Sequence, residues 1–239
     1  MDGTLIDSAT VIPDAYIACI TALGGRSYTP SEIIAAYSVG PPEAMLAHLL
    51  GRRSTAAEVD DYHVRLERLA TGVAVYPGIT ETLAALASQV RLAVFTGASI
   101  RACRILLGST GLLGYFVALV GGDEVPRSKP YPDGILEVCR RIRVNPSNAA
   151  YVGDAPIDLR AARRGGTLAL AAAWGHQYQP DEPSDGVLHR PGDLVDYVMD
   201  RGRALRDPVS SRPITRPSLP RDLLKFSRDP DGHYSDSAS

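Results

Sequence analysis

The stretch AAYVGDAPIDLRAARRGGTLALAA, residues 149–172, decides the fold class of this chain, because it reads as strand, helix and strand in succession. The apolar segments 149–152 and 167–172 predict two short strands, and residues 157–164 predict the helix between them. Short, continuously apolar strands are typical of parallel sheets that are covered on both faces. The stretch therefore predicts a parallel β-α-β unit.

The same alternation extends upstream as far as the turn signal Pro77-Gly78. Between this turn and the decisive stretch, the pattern predicts helix 79–88, strand 90–95, helix 100–107, strand 117–120 and helix 132–142. Regular alternation of helices and strands predicts a doubly wound α/β sheet.

Residues 9–74 predict helices only. The sequence TPSE at 29–32 is a capping-box start with Pro at the first helical position. A short apolar helix at 42–50 should end at Gly51, and a longer polar helix capped by Ser54 should reach about residue 69. The segment therefore predicts a helical insert ahead of the alternating region.

The last part of the chain, residues 200–239, has little apolar periodicity and is rich in Pro, Arg and Ser. This composition predicts a disordered tail. The apolar patch formed by Leu223, Leu224 and Phe226 leaves two interpretations open, a docking segment or an extension without a role.

Composition excludes several classes of protein. The net charge of −2 gives no indication of binding to nucleic acid or to an anionic membrane. The longest apolar run, 168–174, is too short to span a bilayer, and the N-terminus does not read as a signal peptide. Three cysteines without CxxC spacing predict buried, reduced thiols. We therefore expect a cytoplasmic protein.

Four polar segments stand out, and we interpret each as following a strand: MDGTLIDS at 1–8, VFTG at 94–97, SKPYPD at 128–133 and YVGDAPID at 151–158. Ligands of open α/β sheets bind at the carboxyl ends of the strands, so these segments can converge on one pocket. Asp154 and Asp158, four residues apart, predict a Mg²⁺ site. A hydroxyl from Thr96 and a compact cation from Lys129 would bind an anion.

Each residue also has an ordinary structural interpretation. Asp154 and Thr96 could cap helices, Lys129 could be a solvated loop charge, and Asp158 could pair with Arg160 or Arg164. These interpretations would have to hold for all the segments at once, whereas one phosphoryl site accounts for them together.

Taken in order, the four segments resemble the motifs of haloacid dehalogenase (HAD)-superfamily hydrolases. The further stretches YPGITETLAAL, VGGDEVPRSKPYPD and LHRPGDLVDYV resemble the phosphoglycolate-phosphatase-like branch. The resemblance covers residues 1–199. It implies a Rossmann-like parallel core formed by 1–8 and 75–199, with a helical cap at 9–74.

The resemblance also implies roles. Asp2 would be the general acid/base, and its backbone carbonyl would help to bind Mg²⁺. Thr96 and the amide of Gly97 would hold the phosphoryl group, and Lys129 would neutralise it. Asp154 would ligate the metal directly. Asp158 would act through a water molecule or by contacting groups that ligate the metal.

The chain departs from the family at its first motif. The nucleophilic Asp, which forms the aspartyl-phosphate, stands two residues before the Asp that opens DGT, a position directly before Met1. The first central strand, between those ending at Thr96 and Asp154, is absent with it. We expect an N-terminally truncated or inactive chain of a phosphatase. The alternatives are a non-catalytic HAD-fold binding or regulatory protein and a degraded product.

The sequence leaves the substrate open among small phosphorylated metabolites: phosphoglycolate, a sugar phosphate, pyrophosphate or a nucleotide monophosphate. A substrate-facing cap loop is expected around residues 40–42. Dehalogenase activity is disfavoured because Asp2 matches the second Asp that dehalogenases typically lack, and a mutase is a minor alternative. The oligomeric state is not indicated.

Overall fold

The computed structural model describes residues 1–206, with side chains described as far as residue 200. Met1–Met199 forms one compact unit, and a second unit begins at Asp200. The boundary that we predicted at residue 200 falls inside a helix, Asp193–Arg206. The rest of the predicted tail, 207–239, lies outside the described residues.

The helical insert begins and ends at a pair of two-residue strands. Strand β1 (Ile6–Asp7) is antiparallel to β2 (Ala74–Val75), with Asp7 opposite Ala74. Between them lie α1 (Val11–Ala22), α2 (Pro30–Ala35), α3 (Pro42–Leu50) and α4 (Ala56–Leu69), joined in places by 3₁₀ turns. The helix-only character predicted for this segment is therefore observed, whereas the antiparallel pair was not predicted.

Capping residues fix where the insert's helices begin. The Thr29 side chain accepts a hydrogen bond from the Glu32 amide, and the Glu32 side chain accepts one from the Thr29 amide. This is the predicted capping box. The prediction that Ser54 caps α4 is wrong, because Thr55 forms a capping box with Glu58 instead. The Ser54 hydroxyl donates to the Glu43 carbonyl and so ties α4 to α3.

After β2 the chain alternates as predicted, and the α/β fold class is confirmed. In order, the elements are α5 (Ile79–Ala87), β3 (Ala93–Phe95), α6 (Ile100–Ser109), β4 (Ala118–Val120), α7 (Asp133–Ile142), β5 (Ala150–Gly153), α8 (Pro156–Arg164), β6 (Leu168–Ala172), β7 (Gly186–Leu188) and α9 (Asp193–Arg206). Strand β7 was not predicted. Among the helices of the described residues, none has both the length and the apolar character needed to cross a membrane.

The parallel strands form two separate sheets. In one, β3 pairs with β4; in the other, β6 lies between β5 and β7. Strands β3 and β5 each have a strand neighbour on one side only among the described residues. Across this break the Tyr151 hydroxyl of β5 donates to the Phe95 carbonyl of β3 at 3.0 Å. A side chain, rather than a strand ladder, therefore joins the two sheets here.

Apolar side chains from the insert and from the sheets form the core. Residues of α1, α3 and α4 share one buried cluster with residues of α5, β3 and α6. Cys19, Cys103 and Cys139 are all buried and free, so their predicted burial is observed.

Candidate active site

Asp2 and Thr96, which belong to the first two predicted motifs, are in contact. The Thr96 hydroxyl donates a long hydrogen bond of 3.4 Å to Asp2 Oδ2, and the Ser8 hydroxyl donates to Oδ1 at 2.7 Å. Thr96 is buried and directly follows β3. The Asp2 carboxylate is therefore held in one orientation by two hydroxyl groups.

Asp154 joins the first motif to the fourth. Its carboxylate accepts from the Thr4 hydroxyl and from the Gln177 amide, both at 3.2 Å. Gly3 lies so close that a Cβ placed there would be 2.1 Å from Asp154 Oδ2, and its φ of +69° also favours glycine. Gly175 packs just as tightly, since a Cβ placed there would be 2.2 Å from Asp154 Cβ. Glycine at positions 3 and 175 therefore provides the space that the Asp154 carboxylate occupies, and a larger residue at either position would collide with it.

Asp154 is in an electrostatic environment that disfavours its charge. Only 2% of the residue is exposed. Burial raises the pKa of this carboxyl above its ordinary value, and the negative charge of Asp158 raises it further. Such a site gains stability from a proton or a cation.

Lys129 and Asp158 form a buried ion pair. The Lys129 Nζ lies 2.5 Å from Asp158 Oδ1, and the two side chains are 12% and 7% exposed. Burial, the largest single influence, would lower the pKa of the Lys129 ammonium. The charge and hydrogen bond of Asp158, together with Tyr151 and Asp154, outweigh burial and raise the pKa. The alternative in which Asp158 pairs with Arg160 or Arg164 is wrong, since those guanidinium groups bind Glu182 and the Pro130 carbonyl.

Lys129 also lies beside the second motif. Its Cε would be 3.9 Å from a Cβ built on Gly97, and the negative charge of Asp154 acts on its ammonium. The hydrogen bond of its ammonium goes to Asp158. The structure thus brings the third motif against the second and the fourth.

The described residues contain no group of three or more His, Cys, Asp or Glu side chains arranged to hold a metal ion. The predicted magnesium site would not form such a group, because only the Asp154 carboxylate is a direct side-chain ligand. The Asp2 backbone carbonyl would be a second ligand, and Asp158 would contribute indirectly. The Asp2 side chain itself is directed to Ser8 and Thr96.

Several contacts at this site involve residues that we did not single out from the sequence. Thr4 and Ser8 lie within the first motif, residues 1–8. Their hydroxyl groups were the only feature of the sequence that could have marked them as hydrogen-bond donors to the site. The Trp174 Nε1 donates to the Thr4 carbonyl at 2.9 Å, which fixes the loop after β6 against the first motif. Only the folded chain shows this contact, since the two residues are 170 positions apart.

Three tyrosines of the insert, Tyr16, Tyr37 and Tyr62, are close enough to Asp2 for its charge to act on them. Tyr16 of α1 and Tyr62 of α4 stack on each other with ring centroids 4.2 Å apart. The hydroxyl oxygen of Tyr37 is buried without a hydrogen-bond partner. Burial raises the pKa of all three phenols, and the negative charge of Asp2 contributes to each increase.

The insert also contacts the third motif. A Cβ on Gly40 would lie 3.4 Å from the Ser128 Oγ, next to Lys129, and Gly40 has a φ of +131°. The segment around residues 40–42, which we expected to face the substrate, is thus adjacent to the loop that carries the predicted phosphate-binding lysine.

A family model described as haloacid dehalogenase-like hydrolase matches residues 1–166, which is more than half of the chain. The chain belongs to the haloacid dehalogenase-like hydrolases. The match includes all four motifs and the helical insert, so the resemblance drawn from the motifs is confirmed.

Curated relatives assign the chain to a branch of this family. It is 34% identical over 197 residues to a phosphoglycolate phosphatase of Aquifex aeolicus, covering 82% of this chain and 92% of the relative. It is 30% identical over 213 residues to an N-acetylmuramic acid 6-phosphate phosphatase of Pseudomonas aeruginosa, with coverages of 84% and 92%. The chain therefore belongs with the phosphatases of the family, in the phosphoglycolate-phosphatase-like branch.

Solved structures agree on the fold. The crystal structure of CbbY from Rhodobacter sphaeroides in complex with phosphate superposes with a TM-score of 0.71 at 23% identity. The superposition covers 81% of this chain and 93% of that protein. The likeness confirms the Rossmann-like HAD core.

Proposed function

We propose that this protein is a Mg²⁺-dependent phosphomonoester hydrolase of the HAD family that acts on a small phosphorylated metabolite through an aspartyl-phosphate. One observation carries the proposal: residues from all four motifs meet at one edge of the sheets. Asp2 contacts Thr96, Thr4 contacts Asp154, and Lys129 pairs with Asp158.

The phosphoryl-binding side of the site consists of Thr96, Gly97 and Lys129. The Thr96 hydroxyl and the backbone amide of Gly97 follow β3 and can donate to phosphoryl oxygens. The Lys129 ammonium carries three donors, so it can keep its bond to Asp158 and still bind a phosphoryl oxygen. Substrate phosphate thus enters a site with a fixed positive charge.

The residues present suit Mg²⁺. Asp154 and Asp158 are both buried, and the charge of Asp158 raises the pKa of Asp154, so a hard divalent cation would relieve their repulsion. Asp154 would bind it directly, with the Asp2 carbonyl as a second protein ligand and Asp158 acting indirectly. When bound, the ion would neutralise charge on the transferring phosphoryl group.

Asp2 is placed to move a proton. Ser8 and Thr96 orient its carboxyl group, and Thr96 also belongs to the phosphoryl-binding side. A carboxylic acid held beside the ester can protonate the oxygen of the leaving group, and its carboxylate can then take a proton from the attacking water. Residues 9–74 would act as the cap over this step.

We further propose that the nucleophile lies directly before Met1, at the end of a strand between β3 and β5. The break between the two sheets supports this, because β3 and β5 have no strand neighbour on their facing sides among the described residues. The first residue of β5, Ala150, is exposed, whereas β6 is buried along most of its length. Such a strand would satisfy buried backbone groups at both edges.

The test is hydrolysis of 4-nitrophenyl phosphate by two proteins, one starting at Met1 and one carrying the residues encoded upstream. We expect Mg²⁺-dependent turnover by the longer protein and negligible turnover by the shorter one, since removal of a nucleophile costs several orders of magnitude. Equal, robust turnover by both would refute the upstream nucleophile. Phosphate binding without turnover by either would favour the non-catalytic binding protein.

A further inference from the structure

Tyr37 has a hydroxyl group that the fold does not use. In the described part of the chain, only two buried side-chain atoms have no hydrogen-bond partner, Tyr37 Oη and His63 Nδ1. A buried polar atom without a partner is costly, so each such atom needs an explanation. Tyr37 lies in the 3₁₀ turn Tyr37–Val39, directly before Gly40, which contacts Ser128.

The groups known to act on this hydroxyl are uncharged or negative. The titratable groups that act on the Tyr37 phenol are Asp2 and Tyr62, and no cation of the described residues is among them. Three of the five arginines in the insert pair with acids of the insert, in the pairs Arg26–Glu32, Arg52–Glu58 and Arg65–Asp61. The other two, Arg53 and Arg68, are exposed.

The neighbouring helix start cannot supply an anion site either. Helix α3 begins with Pro41 as N-cap and Pro42 as its first residue, and neither has a backbone N–H to donate. Glu43 follows in the first turn and adds a negative charge. Helix N-termini bind anions through free amides and a positive dipole end, and here both are weakened.

We infer that the leaving group of the substrate is uncharged and bears hydroxyl groups, as in a sugar or polyol phosphate, and that Tyr37 recognises one of those hydroxyls. This inference rests on the proposed phosphatase function, in which the leaving group lies beside the acid Asp2. A hydroxyl can share a hydrogen bond with the neutral phenol, whereas a carboxylate next to Tyr37 would be buried without a cation. The site therefore selects against phosphoglycolate.

The experiment compares kcat/KM of the active, upstream-extended protein for glycerol 1-phosphate, phosphoglycolate and 4-nitrophenyl phosphate. We expect glycerol 1-phosphate to be preferred over phosphoglycolate. In Tyr37→Phe, the ratio of kcat/KM for glycerol 1-phosphate to that for 4-nitrophenyl phosphate should fall about fivefold to tenfold, the value of one hydrogen bond. The thermal midpoint of this variant should not fall, because the lost hydroxyl had no partner.

Tyr28→Phe is the matched control, because the Tyr28 hydroxyl donates to the Leu49 carbonyl inside the insert. This variant should lower the thermal midpoint and leave the substrate ratio unchanged. A preference for phosphoglycolate, or an unchanged ratio in Tyr37→Phe, would overturn the inference while leaving the phosphatase intact. Absence of turnover with all three esters would overturn the proposed function and the inference together.

Discussion

Lys129 is a single cation with several partners. It is the only lysine besides Lys225, although lysine and arginine together number 25. Its ammonium binds Asp158, its Cε lies near Gly97, and the side chain is largely buried. A compact ammonium can serve a carboxylate and a phosphate at once, whereas the planar fork of arginine is best satisfied by one partner.

Replacing Lys129 by Arg should therefore reduce catalysis without unfolding the protein. In the upstream-extended protein we expect kcat to fall on the order of 10²–10³-fold, as when one charge-stabilising donor is lost. Steady-state kinetics with a thermal melt measure both effects. Arg127→Lys, at an exposed ion pair with Asp133, serves as the control and should keep full activity. Near-normal turnover in Lys129→Arg would contradict the assignment.

Asp154 gives a prediction with a definite sign. Its folded-state pKa is raised by burial and by Asp158, so the folded protein binds a proton more tightly than the unfolded chain. Stability of the metal-free protein should therefore decrease as pH rises from the ordinary carboxyl range through the raised pKa.

The variant Asp154→Asn removes that charge. The Thr4 hydroxyl can rotate to accept from the new amide, while the Gln177 amide keeps an oxygen acceptor. We expect the thermal midpoint of the metal-free protein to rise by about 2–4 °C, the shift that ~1 kcal/mol produces in a domain of this size. Added Mg²⁺ should stabilise the native protein but not the variant. A variant that Mg²⁺ still stabilises would show that Asp154 is not a ligand.

Two side-chain contacts join helix α4 of the insert to the helix after β3. The His63 Nε2 lies 2.7 Å from the hydroxyl of Ser99, the N-cap of α6, and Asp60 pairs with Arg101 at 2.6 Å. Burial lowers the pKa of His63, and the Arg101 guanidinium lowers it further. The surroundings of this junction therefore favour the neutral imidazole.

Acidification should weaken this junction. Because the unfolded chain titrates near pH 6.5 and the folded chain lower, stability should be lost as pH falls below about 6.5. In His63→Gln, whose amide can still contact Ser99, the difference in thermal midpoint between pH 7 and pH 5 should shrink. His48→Gln, at an exposed position on α3, should retain the full difference. Identical pH dependence in both variants would exclude His63 as the cause.

Local patterns predicted most elements because their determinants are local. The capping box at Thr29 and the Gly51 stop of α3 depend on residues within one turn, and both were predicted correctly. Ser54 and Thr55 are both good N-cap residues, so the local sequence could not decide between them. The contact of the Ser54 hydroxyl with Glu43, a residue of the neighbouring helix α3, is visible only in the folded chain. Strand β7 is only three residues long, too short for a clear periodic signal.

Long-range contacts set the limits of the site prediction. The motifs predicted Asp2, Thr96, Lys129 and Asp154 as site residues, because strand ends of a parallel sheet meet at one edge. They did not identify Tyr37, whose environment depends on how the insert packs near Asp2. Nor could they show that Lys129 bonds Asp158 directly, because loop conformation decides which carboxylate the ammonium reaches.

Within Met1–Met199, the proposed site lies at the break between the two parallel sheets. Asp2 and Thr96 lie at the end of β3, Asp154 and Asp158 follow β5, and the Tyr151 hydroxyl crosses to Phe95 between them. A strand inserted here would end among the residues of the proposed phosphoryl site. Under the proposed function, the fold and the chemistry would depend on the same position.

The most direct measurement is detection of the covalent intermediate in the upstream-extended protein. After acid quenching during turnover of a ³²P-labelled phosphomonoester, we predict one hydroxylamine-labile phosphoryl group per active site, located by peptide mapping on the Asp directly before Met1. The protein that begins at Met1 should carry none. Turnover without any phosphoenzyme, or label on Asp2 or another residue of the described chain, would contradict the account.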